Sequence, residues 1–311
     1  MASDRHAAHP SWSASVSASK ENNDGAGQPG KRVKQRASVS GRIWHVLVRG
    51  AMVFFLANVA LLIATVAVNS VATRWFGTLL PQGFTLHWYG QAWSDFQLAS
   101  VLWVTVEVVG AVVMLSVVLG VPAAYALARV QFRGKRTAML IFLLPLMVPP
   151  VTYGIPMATA MYKIGLAGTL GGVILANLVP ALPFVILVMT PFIEQIDPNL
   201  EAAARIFGAN TFRYFRYVLL PLLVPGMLAA GLLVLVRTIG LFELTFFTAG
   251  PATQTLVVAL YYAVFSTGVR APQSIDAMAM IYMAITLIWV LIALQFVSPT
   301  QIVSRVKERE R

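Results

Sequence analysis

Six long apolar stretches constrain this chain more than any other feature of its sequence. Each is long enough to cross a bilayer as a helix, which takes roughly 20 residues, and they cover about 50–72, 99–127, 138–161, 170–190, 221–246 and 274–297. The runs are continuous, whereas the strands of a membrane barrel alternate apolar and polar residues. Only 11% of the 311 residues are charged, against roughly 25% in soluble domains. The sequence therefore predicts an all-α membrane protein with six spans.

The distribution of positive charge indicates how these spans are oriented. Nineteen Lys and Arg residues lie in the two terminal segments and in the segments after the second and fourth spans, whereas three lie in the opposite segments. Lys and Arg are enriched on the cytoplasmic side of membrane proteins, so both termini are predicted to be cytoplasmic. The net charge of +11 is thus explained by the lipid bilayer, and no nucleic acid partner is expected.

Composition also divides the chain into two regions. Residues 1–41 are basic, rich in Ser, Ala and Gly, and lack an apolar period, which predicts a disordered cytoplasmic tail. Residues 42–311 form the predicted transmembrane domain. The absence of cysteine excludes disulfide frameworks and thiolate metal sites, and no metal site is predicted.

The loop between the fourth and fifth spans, about 191–220, is too long and too patterned for a simple connector. It contains a helix start, an apolar face at i, i+3, i+4 and i+7, and a helix stop, at Asp197-Pro198, then Leu200, Ala203, Ala204 and Phe207, then Gly208. A second short amphipathic helix is predicted from Thr211 to Leu220, and Pro221 is predicted to open the fifth span. The pattern alone fits two interpretations equally: an interfacial helix pair lying on lipid, or a docking element for a cytoplasmic partner.

The stretch Glu201-Ala202-Ala203-Ala204-Arg205-Ile206-Phe207-Gly208, followed by Leu220-Pro221, resembles the EAA loop of binding-protein-dependent ABC importer permeases. The resemblance runs from about Phe84 to Val297 and is nearest to the spermidine/putrescine-type permeases. One position departs from the family pattern. The usual glutamate stands six residues before the glycine, where this chain has Ala202, and the acid is Glu201, one residue earlier.

This resemblance implies a type I importer fold in a bacterial plasma (inner) membrane. The partners it implies are two cytoplasmic ATPase subunits, a second permease that we expect to be a different chain, and an external solute-binding protein. ATP and Mg would bind the ATPase, so this chain is expected to hold no cofactor and no catalytic residue. The residues expected to dock the ATPase are Glu201, Ala202, Ala203, Ala204, Arg205, Phe207, Gly208 and Phe212.

Polar and proline residues inside the spans predict candidates for a solute pathway. Four prolines interrupt the third span around Thr152 and Tyr153. Broken helices mark many transport sites, although a kinked structural helix explains the prolines equally well. Asn177 precedes two further prolines in the fourth span.

Three ionisable residues, Glu107, Arg237 and Glu243, fall within predicted spans, with the last two on different faces of the fifth. Such residues are candidates for function, and structural pairing or snorkelling is the alternative. The Leu241-Phe242-Glu243-Leu244 stretch resembles an acidic position of polyamine-type permeases, which implies a small polar solute such as a polyamine. The competing functional class is a stand-alone secondary transporter, which would show internal repeats. No convincing repeat is present, and that class leaves the EAA-like loop unexplained.

Overall fold

The computed structural model describes residues 39–75, 77–78, 80–265 and 270–296. The chain divides into two compact units, residues 1–56 and 57–311. In the first unit, the described part is the beginning of one long helix. The predicted disordered tail falls almost entirely outside the described residues and stays a prediction.

Both units are helical over the residues that the structure describes. Apart from one isolated antiparallel bridge between Ala72 and Phe84, the regular structure of the described ranges is helical. The helices are α1 (Val39–Val71), α2 (His87–Asp95), α3 (Leu98–Arg129), α4 (Lys135–Met147), α5 (Pro150–Lys163), α6 (Leu170–Glu194), α7 (Asn199–Ile206), α8 (Thr211–Tyr214), α9 (Leu220–Ile239), α10 (Glu243–Thr248), α11 (Leu256–Phe265) and α12 (Pro272–Phe296), with a π-helical segment (Phe215–Leu219) between α8 and α9.

The predicted all-α fold with about six spans is confirmed. Five helices among the described residues are long and apolar enough to cross a membrane, and the bent pair α4 and α5 makes six if it is one span. The second and fourth predicted spans match α3 and α6 closely, because uninterrupted apolar runs leave little freedom in where a spanning helix lies.

The third predicted span is broken rather than continuous. Helices α4 and α5 are bent by 98°, and the break lies at Val148 and Pro149, which have extended ψ angles of 133° and 134°. Both residues precede a proline, and a residue before proline is disfavoured in the helical conformation. Pro145 and Pro156 remain inside their helices, so the adjacent pair Pro149-Pro150 accounts for the break.

The fifth predicted span, 221–246, is wrong at both ends. The helix already begins at Thr211, continues through the π segment into α9, and ends at Ile239. In the π segment the Leu220 N–H bonds to the Phe215 carbonyl, five residues back, directly before Pro221, which has no N–H of its own. This wider turn lets the chain pass the proline without leaving the helix. The predicted short helix over 211–220 is therefore part of the spanning helix.

The main core lies where α3, α6 and α9 pack together. Their fully buried side chains include Val112, Val185, Leu223 and Val234, and α3 packs most extensively against α6. A second cluster joins α2 and the start of α3 to α11 and α12, and a third, smaller cluster joins α5, α6 and α10.

The α5–α6 and α10–α11 connections lie at the end of the bundle opposite α7, and hydrogen bonds to backbone groups join them. The N–H of Gly168 donates to the Thr248 carbonyl at 2.8 Å, and the hydroxyl of Thr253 donates to the Gly168 carbonyl at 3.2 Å. A Cβ on Gly250 would lie 3.0 Å from the Gly168 Cα. The glycines thus permit a close approach between the α5–α6 and α10–α11 connections.

Candidate docking loop and transport pathway

Helix α7 begins and ends with the residue types that the sequence pattern indicated. The Asp197 carboxylate accepts a hydrogen bond of 2.9 Å from the N–H of Asn199, the first helical residue. After the helix, Gly208 has a φ of +79°, a left-handed conformation that glycine adopts without the steric cost of a Cβ.

The side chains of α7 divide between the protein and its surface. Ala204 is half-buried and packs against the main core, whereas Ala202, Ala203 and Arg205 are exposed. Phe207 is 90% exposed, so the apolar face predicted at i, i+3, i+4 and i+7 is divided between the core and the surface. Only the small Ala204 fits against the core, because the chain turns away at the helix end. The side chain of Glu201 lies outside the described residues.

The second half of the loop leads directly into the fifth span. The Asn210 side-chain oxygen accepts from the Arg213 N–H at 2.8 Å, which caps the start of α8. Tyr214 is buried in the main core, while Phe212 is 73% exposed. We call Ile206, Phe207 and Phe212 the exposed apolar set. It lies at the end of the bundle predicted to be cytoplasmic, on a segment that the core holds in place.

One residue beside this loop was not predicted to have a role. Arg129 ends α3, and its Nη2 donates to the Ile193 carbonyl at 3.0 Å and to the Ile196 carbonyl. Both carbonyls lie around the end of α6 at Glu194. We call the predicted loop at this point, about 191–220, the docking loop. In the sequence, Arg129 is one of several positive charges next to a span. The enrichment of such charges on the cytoplasmic side already explains its presence, so the sequence contains no signal that predicts this contact.

Within the spans, several predicted pathway residues converge around α10. Asn177 is buried and donates to the Val173 carbonyl at 2.9 Å and to the Thr245 hydroxyl at 3.0 Å. Tyr153 packs with the third cluster, next to Leu244 of α10. The hydroxyl of Tyr153 and the side-chain oxygen of Asn177 are both buried and form no hydrogen bond with the described part of the chain.

Arg237 and Glu243 lie on two different helices, which corrects the prediction that one span carries both. Arg237 is in the last turn of α9, and Glu243 is the first residue of α10. Both are partly buried and near enough to Tyr153 to act electrostatically on its hydroxyl. Arg237 also lies over the ring of Phe184, with its guanidinium carbon 5.4 Å from the centroid. The described side chains of Arg237 and Glu243 do not approach each other within the 4.0 Å of an ion pair.

The other two predicted pathway residues are not buried with this group. Glu107 of α3 and Thr152 of α5 both have exposed side chains. Thr245 contacts Asn177 and Phe184 contacts Arg237. Neither was predicted, since a threonine or phenylalanine within an apolar run carries no distinguishing signal. We call Tyr153, Asn177, Arg237 and Glu243 the polar cluster.

A polar cavity of about 390 Å³ opens near the junction of α2 and α3 and was not foreseen from the sequence. Its wall includes Arg270, which donates to the Asp95 carbonyl at 3.3 Å and lies 4.5 Å from the centroid of the Phe96 ring. Gln97, also in the wall, has a left-handed φ of +49°. By the predicted orientation, this cavity faces the outer side of the membrane.

Comparisons with known proteins agree with this architecture. Residues 116–308 match the family described as binding-protein-dependent transport system inner membrane component. A probable molybdenum ABC transporter permease protein of Haloferax volcanii is 35% identical over 166 residues, which cover 51% of this chain and 61% of that protein. The trehalose transport system permease protein of Mycobacterium tuberculosis is 34% identical over 160 residues, which cover 51% of this chain and 58% of that protein.

A solved structure shares the fold as well. A chain from the crystal structure of a bacterial ABC transporter involved in the import of the acidic polysaccharide alginate aligns with a TM-score of 0.70 at 20% identity, covering 84% of this chain and 99% of that chain. The matches to the two sequence relatives span about three fifths of their lengths. The family match covers more than half of this chain, which therefore belongs to the inner membrane components of binding-protein-dependent transport systems.

Proposed function

We propose that this chain is a transmembrane subunit of an ATP-driven importer, and that its docking loop binds a cytoplasmic ATPase. The observation that carries the proposal is the exposed apolar set on a loop that the core holds in place. Phe207 is 90% and Ile206 84% exposed, and burying one such side chain contributes about 1.5–3 kcal/mol. A partner surface that covers them would gain a substantial part of its affinity there.

The fastening of the loop favours a protein partner over lipid. Ala204 and Ile196 pack against the main core, and Tyr214 is part of it. A helix that only rests on lipid needs no such attachment, since its apolar face is covered by the bilayer itself. A helix that transmits movement from an ATPase has to be attached to the spans it moves. Arg205, Arg213 and Arg216 would add charge complementarity with an acidic partner surface.

The polar cluster is the proposed solute pathway. The Tyr153 hydroxyl and the Asn177 side-chain oxygen form no hydrogen bond with the described residues. They lie within the spans, where a polar group is costly unless it is paired or lines a water-filled pathway. The expectation of a polyamine rested on Glu243. Arg237 lies near the same Tyr153 as Glu243, so a polycation would also meet an arginine. The two relatives are named for molybdenum and trehalose transport and not for polyamines. The proposal therefore specifies only a small polar solute.

The remaining partners follow from the same proposal. ATP and Mg would bind the ATPase and not this chain, which would have no catalytic role of its own. A second permease, expected to be a different chain, would complete the pathway. An external solute-binding protein would deliver the solute at the outer side, where the cavity beside Arg270 opens.

The test is to purify the full-length chain from its native membranes as wild type, Phe207→Asp and Phe132→Asp. Phe132 is the control, since it is 43% exposed on the other cytoplasmic connection. We expect an ATPase, identified by mass and by ATP hydrolysis, to accompany the wild type and Phe132→Asp but to be lost from Phe207→Asp. An ATPase retained equally by all three would contradict docking through this loop. Solute uptake into vesicles without ATP would favour the secondary transporter instead.

A further inference from the structure

The guanidinium of Arg129 bridges two parts of the protein that are separate in sequence. It belongs to the last turn of α3, and it donates from one nitrogen to the carbonyls of Ile193 and Ile196. Ile193 is completely buried in the main core, and Ile196 packs against it. The contact is partly buried, at the end of the bundle that carries the docking loop.

These carbonyls are at a point where the backbone needs an external donor. The last carbonyls of an α-helix have no partner within the helix, and the C-terminal end carries a partial negative charge that a cation stabilises. The Ile193 carbonyl also accepts from the Ile196 N–H at 3.1 Å. Arg129 therefore fixes the tight turn by which the chain leaves α6, and α7 begins three residues after Ile196.

We infer that Arg129 is a positioning residue that makes the docking loop move with α3 as well as with α6. The inference rests on the proposed function. Helix α6 is connected to the loop by the chain itself, whereas α3 reaches it through this side chain. Because α3 and α6 pack along the main core, a movement imposed on α7 would reach both helices together and pass along them to the outer side.

A topological role alone would require only a positive charge. Both bonds come from one guanidinium nitrogen, so the number of donors does not separate arginine from lysine, whose ammonium carries three. Arginine differs in its longer reach and its rigid planar geometry. Arg133 offers a matched control, since it carries the same charge four residues later, in the α3–α4 connection, but is exposed and forms no hydrogen bond or ion pair with the described part of the chain. Arg129→Met and Arg133→Met each remove one positive charge, but only Arg129→Met also removes the bridge to the Ile193 and Ile196 carbonyls.

The experiment uses the complete transporter in liposomes and a single cysteine, Ala252→Cys, in a chain that has no cysteine of its own. Ala252 is exposed on the α10–α11 connection. The labelling rate of this cysteine by a membrane-impermeant maleimide is compared without nucleotide and with ATP plus vanadate. Amide hydrogen exchange over residues 193–206 is measured in parallel, together with the amount of bound ATPase.

We expect Arg129→Met to keep its ATPase, to exchange faster over residues 193–206, and to lose the nucleotide-dependent change in labelling. Arg129→Lys should retain part of that change, and Arg133→Met all of it. A wild-type response in Arg129→Met would overturn the inference. If Arg129→Met does not yield a complex, Arg129→Gln decides, because its shorter, neutral side chain cannot reach both carbonyls and a full wild-type response would also overturn the inference. A failure of the proposed function is distinct, since the wild type itself would then bind no ATPase.

Discussion

The amide nitrogen of Asn177 donates a hydrogen bond of 3.0 Å to the hydroxyl of Thr245, and this bond joins α6 to α10 inside the protein. Both residues are buried, with 1% and 2% of their surface exposed. Helix α10 has only six residues, which is too short to be stable by itself. Its position beside α5 and α6 therefore depends on contacts such as this one.

Thr245→Val should weaken this connection because it removes the hydroxyl while keeping the shape of the side chain. Interhelical hydrogen bonds in membranes contribute about 0.6 kcal/mol on average and up to about 1.7 kcal/mol. We expect a loss within that range in the free energy of unfolding, measured on the reconstituted protein. Asn177→Leu should cost more, because it also removes the bond to the Val173 carbonyl.

The double variant Asn177→Leu/Thr245→Val tests whether the two residues act as a pair. Its cost should be smaller than the sum of the two single costs, since replacing both partners leaves no unpaired polar group. Strict additivity would show that the bond contributes nothing to stability.

The close packing of α3 on α6 depends on a glycine. A Cβ on Gly120 would lie 2.8 Å from Cγ1 of Val185, and Val185 is fully buried. Gly120→Ala should therefore reduce the free energy of unfolding by about 1–3 kcal/mol, the usual cost of overpacking. Adding Val185→Ala should recover part of this loss by making space for the new methyl group.

The matched control is Gly110→Ala in the same helix, where a Cβ would meet nothing within 4 Å. Alanine is favoured over glycine inside a helix by about 1 kcal/mol, so this variant should be at least as stable as the wild type. Thermal unfolding of the purified chain compares all of these variants. Equal losses for Gly110→Ala and Gly120→Ala would show that packing against Val185 is not the cause.

The sequence was sufficient to predict those features that depend on neighbouring residues. Most spans follow from local apolar composition, and the break at Pro149-Pro150 is one of the two interpretations that the prolines of the third span left open. The start and stop of α7 depend on Asp197 and Gly208, which act within their own turns. Each of these is a local effect, so one sequence contains the information needed.

Features that depend on contacts between distant segments could not be predicted in this way. Asn177 and Thr245 are 68 residues apart in sequence, and the target of Arg129 lies 64 residues away. The inward position of Ala204 and the exposure of Phe207 depend on how α7 meets the core. Pro221 misled the prediction of the fifth span, because a π turn can absorb a proline that would otherwise indicate a helix start.

Gly208 should tolerate asparagine better than any bulky residue. Its φ of +79° lies in the left-handed region, which asparagine enters more easily than most residues. A Cβ here would meet no atom of the described residues within 4 Å, so a partner is what would limit the space for a small side chain. We expect Gly208→Asn to retain solute uptake and Gly208→Arg to abolish it, with both variants inserted in the membrane.

The comparison with Gly208→Ala separates backbone strain from partner contact. If strain alone causes the defect, Gly208→Ala and Gly208→Arg should bind the ATPase equally poorly. If docking is the cause, alanine should bind better than arginine, because it projects little into the partner. Normal uptake by Gly208→Arg would contradict docking at this position.

Arg237 and Glu243 should depend on each other even though they form no direct ion pair. Both lie near Tyr153, and a charge left uncompensated within the membrane costs about 2.5–3.5 kcal/mol on insertion scales. We expect Arg237→Gln and Glu243→Gln each to lower the free energy of unfolding. The double variant should recover most of that loss, because no net charge remains. Glu107→Gln is the control, since Glu107 is an exposed acidic residue of α3 and not a member of the polar cluster.

Solute uptake then distinguishes the two roles proposed for these charges. If they only stabilise the fold, uptake should return with stability in the double variant. If they line the pathway, the double variant should be stable and still impaired in uptake, because the solute loses two of its polar contacts. An equal loss of uptake in Glu107→Gln would remove the special status of the polar cluster, since the effect would then follow from any charge removed within the spans.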